Sequence, residues 1–99
     1  MKAYRIVWED EAKAREVEIF VDYTLEAGLV QVEEVRPTKV TLYNSQTKQP
    51  ERTLTVHTPT GRTLLTLAYL ASRDEAVTLA DEIQAQLDER DDLVAASVG

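Results

Sequence analysis

The chain lacks cysteine altogether and has little glycine, proline or histidine, with three, three and one of each in 99 residues. Without cysteine there is no disulfide framework, no thiolate nucleophile and no thiolate metal site. No apolar run approaches the roughly 18 residues that a membrane span needs. Residues 1–6 also lack the apolar stretch of a secretory signal. We therefore expect a cytoplasmic protein that does not enter a membrane.

Positive charge is also scarce. Eleven Lys and Arg residues stand against 18 Asp and Glu residues, which gives a net charge of −7. The basic residues are scattered singly, so phosphate backbones and anionic lipid surfaces would be repelled at long range. We expect no nucleic-acid partner and no membrane partner. The acidic balance is typical of a soluble protein, and a cationic partner is the alternative interpretation.

What the chain does contain is enough apolar sequence for one modest core. Its 11.2 kDa correspond to one domain, residues 1–99, that can bury a core without covalent staples. The hydrophobic fraction of 43% and the charged fraction of 29% are ordinary for a globular protein.

Alternation of apolar and polar residues is the main structural signal. It predicts six strands, at residues 4–8, 16–23, 29–36, 39–43, 53–57 and 63–70. The cleanest is the second, in which Val17, Ile19 and Val21 alternate with polar or aromatic neighbours. Pro37 marks a bend or bulge between the third and fourth. Residues 44–52 form a polar loop, in which Pro50 is expected to prevent regular pairing.

The strongest local turn signal lies at residues 58–62. Pro59 in the second turn position and Gly61 where a left-handed residue is needed are typical of a type I turn with a G1 bulge. This turn predicts a hairpin in which Val56 lies beside Leu64. The strand that follows has apolar residues on both faces and is expected to be central or covered on each side.

A helix is predicted at residues 72–90. Residues 72–75, Ser-Arg-Asp-Glu, match a capping box. An apolar stripe at helical spacing follows, formed by Ala76, Leu79, Ala80, Ile83 and Leu87. Acidic residues at 88–92 oppose the helix dipole, so the helix should end near residue 90 and leave residues 91–99 as a flexible tail.

These elements predict an α+β fold, with an antiparallel sheet of five to six strands packed against one C-terminal amphipathic helix. The alternative is a bent sheet or half-barrel closed by the helix. Residues 53–87, a Thr-rich hairpin, a last strand and a capped helix, resemble the closing segment of pleckstrin-homology-like domains. The resemblance implies a terminal helix that closes one end of a bent sheet. Lipid-binding members of that family use a basic first loop, whereas residues 9–11 are acidic, so no binding residue is carried over.

Few residues are candidates for chemistry. His57 would need an activated hydroxyl and a third orienting group, and its threonine-rich strand is typical of a wet surface. The carboxylates Glu16, Glu18 and Asp22 share one strand face, which we interpret as solvated. The acidic run at 88–92 lacks the glycine of a calcium loop, and no glycine lies in a phosphate loop. We predict no catalytic residue, no cofactor and no metal site.

The remaining signal is aromatic. Trp8, Tyr43 and His57 form the candidate contact surface, with Tyr43 out of phase with Val40 and Leu42 beside a polar loop. The leading hypothesis is a non-catalytic protein-protein interaction module or accessory subunit that binds a protein partner or forms a homodimer. A small-ligand-binding domain, with a pocket between helix and sheet near Trp8 and Tyr43, is the alternative. An enzyme using carboxylates or His57 is the second alternative.

Overall fold

The structure is a computed structural model that describes residues 2–73 and 77–98, with side chains described up to residue 89. Its elements in chain order are β1 (Lys2–Asp10), a short 3-10 turn (Glu11–Lys13), β2 (Arg15–Glu26), β3 (Leu29–Tyr43), β4 (Pro50–Thr55), α1 (Pro59–Ser72) and α2 (Leu79–Val98). The strands form one antiparallel sheet in the order β1-β2-β3-β4. The predicted α+β class is confirmed, but the described residues form four strands rather than five or six, and two helices rather than one.

The first two strands follow the period-2 pattern. Ile6 lies opposite Ile19 and Trp8 lies opposite Val17 in the β1–β2 register. Val17, Ile19 and Val21 are fully buried because their shared face packs under the helices. The short 3-10 turn Glu11–Lys13 connects these two strands.

The third and fourth predicted strands are one continuous strand, β3. In its register with β2, Ile19 pairs with Pro37 and Glu18 with Lys39, so Thr38 is an extra residue. The Thr38 hydroxyl donates to the Glu18 backbone carbonyl at 3.2 Å. Pro37 therefore marks a bulge, which is one of the two predicted irregularities. Pairing with β2 continues on both sides of it, so no strand ends there.

The polar loop predicted over residues 44–52 is shorter than expected. β4 begins at Pro50, which pairs with Tyr43. Proline is tolerated there because β4 is an edge strand, whose outward N–H groups need no partner in the sheet.

The hairpin predicted at residues 58–62 and the strand predicted at 63–70 are wrong: this segment is helix α1. Thr58 is its N-cap and accepts a hydrogen bond from the Gly61 N–H at 3.0 Å, while Pro59 opens the first turn. Leu65 and Tyr69, four residues apart, are buried against the sheet. The pleckstrin-homology-like alternative is wrong for the same reason, since it requires a strand where α1 lies.

The predicted helix 72–90 starts later and runs further. Ser72 is the last residue of α1, and Asp74–Ala76 lie outside the described residues. The second helix, α2, begins at Leu79, after Thr78 accepts a hydrogen bond from the Asp81 N–H at 3.1 Å. Its backbone continues to Val98, past the end predicted at residue 90 and into the predicted tail. The stripe itself is confirmed for Leu79, Ala80, Ile83 and Leu87, which pack on the core.

Both helices cover the same face of the sheet. Leu65 and Tyr69 of α1 and Ile83 of α2 belong to one hydrophobic cluster with the buried residues of β2. Arg73 joins the helices, donating to the Tyr69 hydroxyl and pairing with the Glu82 carboxylate at 2.7 Å. The opposite face of the sheet carries a layer of paired polar side chains.

Candidate interaction surfaces

The predicted contact residue Trp8 lies at the border of the core. Its ring meets that of Tyr69 edge to face, with the centroids 5.6 Å apart. The guanidinium of Arg15 lies 5.7 Å from the Trp8 ring centroid. Trp8 is half-buried between β1, α1 and this cation, so much of its surface is already occupied within the chain.

Tyr43 lies on the opposite face of the sheet. Its hydroxyl donates to the Glu16 carboxylate at 2.9 Å. This bond raises the pKa of Tyr43 above its usual value because the carboxylate favours the protonated phenol. The sequence placed Trp8 and Tyr43 on one contact surface, whereas the structure places their side chains on different sides of the sheet.

A cleft of about 470 Å³ opens beside Tyr43, between the β1–β2 connection and the β3–β4 connection. The Tyr43 N–H donates to the Ala14 carbonyl at 2.8 Å, and Ala14 takes the left-handed conformation that turns the chain. Four carboxylates line the cleft: Glu9, Asp10, Glu11 and Glu16. Two cations also line it: Arg15, which pairs with Asp10 at 2.8 Å, and Lys48, so the carboxylates outnumber the cations by two. The cleft is therefore acidic and lies at one end of the sheet, not between helix and sheet.

His57 is exposed and precedes the N-cap of α1. Its side chain makes no hydrogen bond or ion pair within residues 2–73 and 77–89, and it lines neither this cleft nor the groove described below. The neighbouring hydroxyls act on the helix backbone instead, since Thr58 caps Gly61 and Thr63 donates to the Pro59 carbonyl. His57 is thus brought together neither with Trp8 nor with Tyr43.

The carboxylate row on β2 was interpreted as solvated, and that interpretation is wrong for Asp22, whose exposure is 9%. Arg36 donates two hydrogen bonds to Asp22, one of them at 2.8 Å, and these hold the pKa of Asp22 below its usual value. The hydrogen bond from Arg5 likewise lowers the pKa of Glu18. Both carboxyls are therefore held in the ionised form, as partners of arginine.

A surface that the sequence analysis missed lies on α1. Leu64 is 63% exposed and Leu67 is 60% exposed, one turn apart on the side away from the sheet. Leu70 is 42% exposed further along the same helix. We call these three residues the leucine ridge. The strand predicted at 63–70 was expected to be central or covered on each side, so the ridge could not be recognised without first recognising the helix.

A groove of about 340 Å³ runs beside the ridge, between α1 and β3. Pro59, Thr63, Thr66 and Leu67 form its helix side. Glu34 of β3 and Arg62 of α1 also line it, and both are exposed. Arg62 is the only charged residue of α1, which contains no Asp or Glu. The ridge and groove together form a mainly uncharged strip on an otherwise acidic chain.

Among the described residues, no group of three or more His, Asp or Glu side chains is arranged to hold a metal ion. The helices of the described part of the chain include none with the length and apolar content to cross a bilayer. No protein-family model matches the chain, and no match is found among curated proteins or solved structures.

Proposed function

We propose that this domain is a non-catalytic protein-interaction module, or an accessory subunit, whose contact surface is the leucine ridge of α1. The observation that carries the proposal is the exposure of Leu64 and Leu67 on consecutive turns of a regular helix. Single exposed leucines are normal on protein surfaces, but adjacent ones beside a groove are typical of a docking surface.

Burial of the ridge would supply useful but limited free energy. A leucine side chain that goes from exposed to buried contributes about 1.5–3 kcal/mol, and these leucines are already partly covered. Roughly 3–4 kcal/mol for the three is our expectation, before the cost of association. The partner must therefore also use the neighbouring groove, as amphipathic helices do when they bind along a surface.

The exposed leucines at the β2–β3 turn are a less suitable surface. Leu25 and Leu29 are 44% and 60% exposed, but Glu26 adjoins Leu25 and Glu33 follows on the same hairpin. A partner that covered this turn would have to desolvate carboxylates, which is costly unless they are paired. The turn therefore provides a matched control, with the same residue type and similar exposure in a different place.

The experiment compares three baits in affinity capture from cells that express the chain: the wild type, Leu64→Glu with Leu67→Glu, and Leu25→Glu with Leu29→Glu. We expect proteins captured by the wild type, including further copies of the chain, to be lost with the ridge variant and kept with the turn variant. Circular dichroism checks that each bait is folded. Retention of the same proteins by the ridge variant, or a wild type that captures nothing, would overturn the proposal.

The end cleft favours small-ligand binding as a second candidate function. Its volume of about 470 Å³ lies in the range of small-molecule sites, and its walls are held by backbone hydrogen bonds. A thermal-shift screen of small metabolites tests it, because a ligand that binds only the folded state raises the melting temperature. Any shift should disappear when Tyr43→Ala alters the wall of the cleft. A screen in which no compound shifts the melting temperature would exclude this candidate.

A further inference from the structure

We propose that β1 pairs with β1 of a second copy of this chain, antiparallel and about a two-fold axis at Val7, so that Arg5 of each copy lies opposite Glu9 of the other. The two four-stranded sheets then form one continuous sheet. The surface involved is the outer edge of β1, which is separate from the leucine ridge, so this dimer is additional to the proposed function. Three observations support it.

The first observation is that β1 has an open edge of regular geometry. It lies at the end of the strand order, so only β2 pairs with it in the described part of the chain. Its nine residues contain no proline or glycine, and their pairing with β2 runs from Lys2 to Asp10 without a bulge. Backbone N–H and C=O groups along such an edge are a template for another strand.

The other edge of the sheet, β4, is protected against such pairing. It has six residues and begins at Pro50, which has no N–H to donate. Its register with β3 is shifted beside that proline, between Leu42 and Tyr43. Short length, proline and bulges all prevent edge-to-edge association. Since β1 has none of these three features, β1 is the edge that accepts another strand.

The second observation is the order of charges along β1. Its basic residues, Lys2 and Arg5, lie in its first half, and its acidic residues, Glu9 and Asp10, lie at its end. A parallel copy would place like charges together, whereas an antiparallel copy places the basic half against the acidic half. Two copies that each carry a net charge of −7 therefore attract one another locally along this strand.

The third observation is an uncompensated pair of carboxylates. Glu9 lies opposite Glu16 in the β1–β2 register, so their side chains share one face of the sheet. Glu16 accepts a hydrogen bond from Tyr43, but neither carboxylate belongs to an ion pair within residues 2–73 and 77–89. Like charges opposite one another destabilise a sheet. An arginine from a second copy, on the outer side of Glu9, supplies the positive charge.

Arg5 is suited to that role. Its side chain is 57% exposed and lies on the same face of β1 as Glu9. Its Nε and Nη2 atoms both approach Oε2 of Glu18, at 3.0 and 2.9 Å. A guanidinium has five N–H donors in a planar fork, so donors remain for a carboxylate beyond the edge.

Charge also selects the register. A two-fold axis perpendicular to the sheet places one residue of β1 opposite itself. An axis at Arg5 would bring two guanidinium groups together. An axis at Ile6 would pair the terminal charges of the strand, where the acid already has a cation in its own chain, and would leave Glu9 opposite Ala3. Only an axis at Val7 gives both Arg5–Glu9 pairs, and it also covers Val7, which is 38% exposed.

The size of this edge predicts a weak dimer. In the proposed register residues 4–10 of each copy face one another, whereas stable interfaces bury about 1,200–2,000 Å² in total. We therefore expect a dissociation constant on the order of 10 µM or weaker. A dimer this weak dissociates at the low concentrations of a cell lysate, so it does not contribute to the affinity capture that tests the ridge.

Because the chain has no cysteine, single introduced cysteines test the register directly. Directly opposite residues of an antiparallel pair have Cα atoms about 4.5–5.5 Å apart, within the range that a disulfide spans. Under mild oxidation, above the expected dissociation constant, Val7→Cys should form covalent dimers at least tenfold faster than Ala3→Cys or Ile6→Cys. Ala3 is the matched control, since it is exposed on the same face of the same strand. Gel electrophoresis without reductant measures the rates.

Analytical ultracentrifugation of the full chain, from about 1 µM to 1 mM, tests the charge pairs. The samples are the wild type, Arg5→Glu, Glu9→Arg and an equimolar mixture of the two variants. Each variant alone should dimerise at least tenfold more weakly than the wild type, because it places like charges in both pairs. The mixture should recover, because the two variants make two favourable pairs together. The ridge variant, Leu64→Glu with Leu67→Glu, is the control and should dimerise like the wild type.

Three outcomes would overturn the dimer: a wild type that stays monomeric at the highest concentration, covalent dimers that form as fast from Ala3→Cys or Ile6→Cys as from Val7→Cys, or charge variants and a mixture that all behave like the wild type. Loss of dimers in the ridge variant would also overturn it, because the interface would then include α1. A monomeric wild type whose ridge still captures another protein would remove the dimer and leave the proposed function standing.

Discussion

Trp8 and Tyr69 meet edge to face, with ring centroids 5.6 Å apart and planes inclined by 60°. This contact ties an edge strand to α1 and orients the helix about its axis. With Tyr69 and Leu65 turned toward the sheet, Leu64 and Leu67 must point away from it, because they lie on the other side of the helix. The exposed ridge is therefore a consequence of how the core holds α1.

Removal of the Tyr69 ring should destabilise the fold strongly. We expect Tyr69→Ala to lower the free energy of unfolding by about 3–4 kcal/mol, since it empties a buried aromatic site that contacts Trp8. Tyr69→Phe, which loses only the bond to Arg73, should cost about 1 kcal/mol. Urea unfolding measures both. The control, Leu64→Ala, should change stability by less than about 0.5 kcal/mol, and an equal loss there would contradict this account of the helix orientation.

Acid should unfold the protein through Asp22 and Glu18. Their pKa values are lowered in the folded state, so the unfolded chain binds more protons and stability rises with pH. The stabilisation is present above the unfolded pKa values, about 4, and is lost over the acid range below them as pH falls through the lowered folded values. Urea midpoints across this range measure it.

Asp22→Asn should flatten that acid dependence while lowering stability at neutral pH, because Arg36 loses its charged partner. Glu89→Gln, which removes an exposed acidic charge from α2, is the control and should keep the acid dependence of the wild type. An unchanged slope in Asp22→Asn would show that the Asp22–Arg36 pair does not cause the acid sensitivity.

Gln84 of α2 makes two hydrogen bonds to the backbone at the start of β3. Its side-chain carbonyl accepts from the Val30 N–H at 2.9 Å, and its amide donates to the Gly28 carbonyl at 3.2 Å. Gln84→Ala should cost about 1–2 kcal/mol, because Val30 is buried and its N–H would lose a partner. Hydrogen exchange at Val30 should accelerate by roughly tenfold or more, in line with that cost. Gln86→Ala, at an exposed position of the same helix, should leave this exchange rate unchanged.

The N-cap of α1 provides a test of its helical assignment. Thr58→Ala removes the acceptor for the Gly61 N–H and should lower stability by about 1 kcal/mol, with a small loss of helical circular dichroism. Thr60→Ala, an exposed change in the first turn, should have little effect. If Thr58→Ala were neutral, the segment would not begin as a capped helix.

Residues 58–70 show why part of the fold was mispredicted. Their apolar residues occupy both faces of a strand, yet Leu65 and Tyr69 also have the spacing of a helix face. Thr58 followed by Pro59 is an N-cap with proline at the first helical position, the signal that could have identified α1. Pro59 and Gly61 also fit a hairpin turn, and local sequence alone does not choose between the two.

The candidate site was harder to predict for the same reason. The aromatic residues Trp8 and Tyr43 stand out in the sequence. In the structure, however, the Trp8 ring contacts Tyr69 and Arg15, and the Tyr43 hydroxyl donates a hydrogen bond to Glu16. The ridge can be recognised only after residues 59–72 are known to be helical and the buried side of that helix has been identified. Exposure of a leucine depends on what covers it, and that information is not local.

The sequence by itself determined the α+β class, the first two strands and the buried stripe of α2, because a strict period of two or of 3.6 admits one amphipathic arrangement. It also located an irregularity at Pro37, because proline limits the backbone locally, but it left open whether that irregularity is a bend or a bulge. Only the tertiary structure decided that residues 59–72 are helical and which side of that helix faces solvent. One face of the sheet must be covered as far as Trp8. Residues 59–72 fit both a strand and a helix pattern locally, and they adopt the helix because it buries the Tyr69 ring against Trp8.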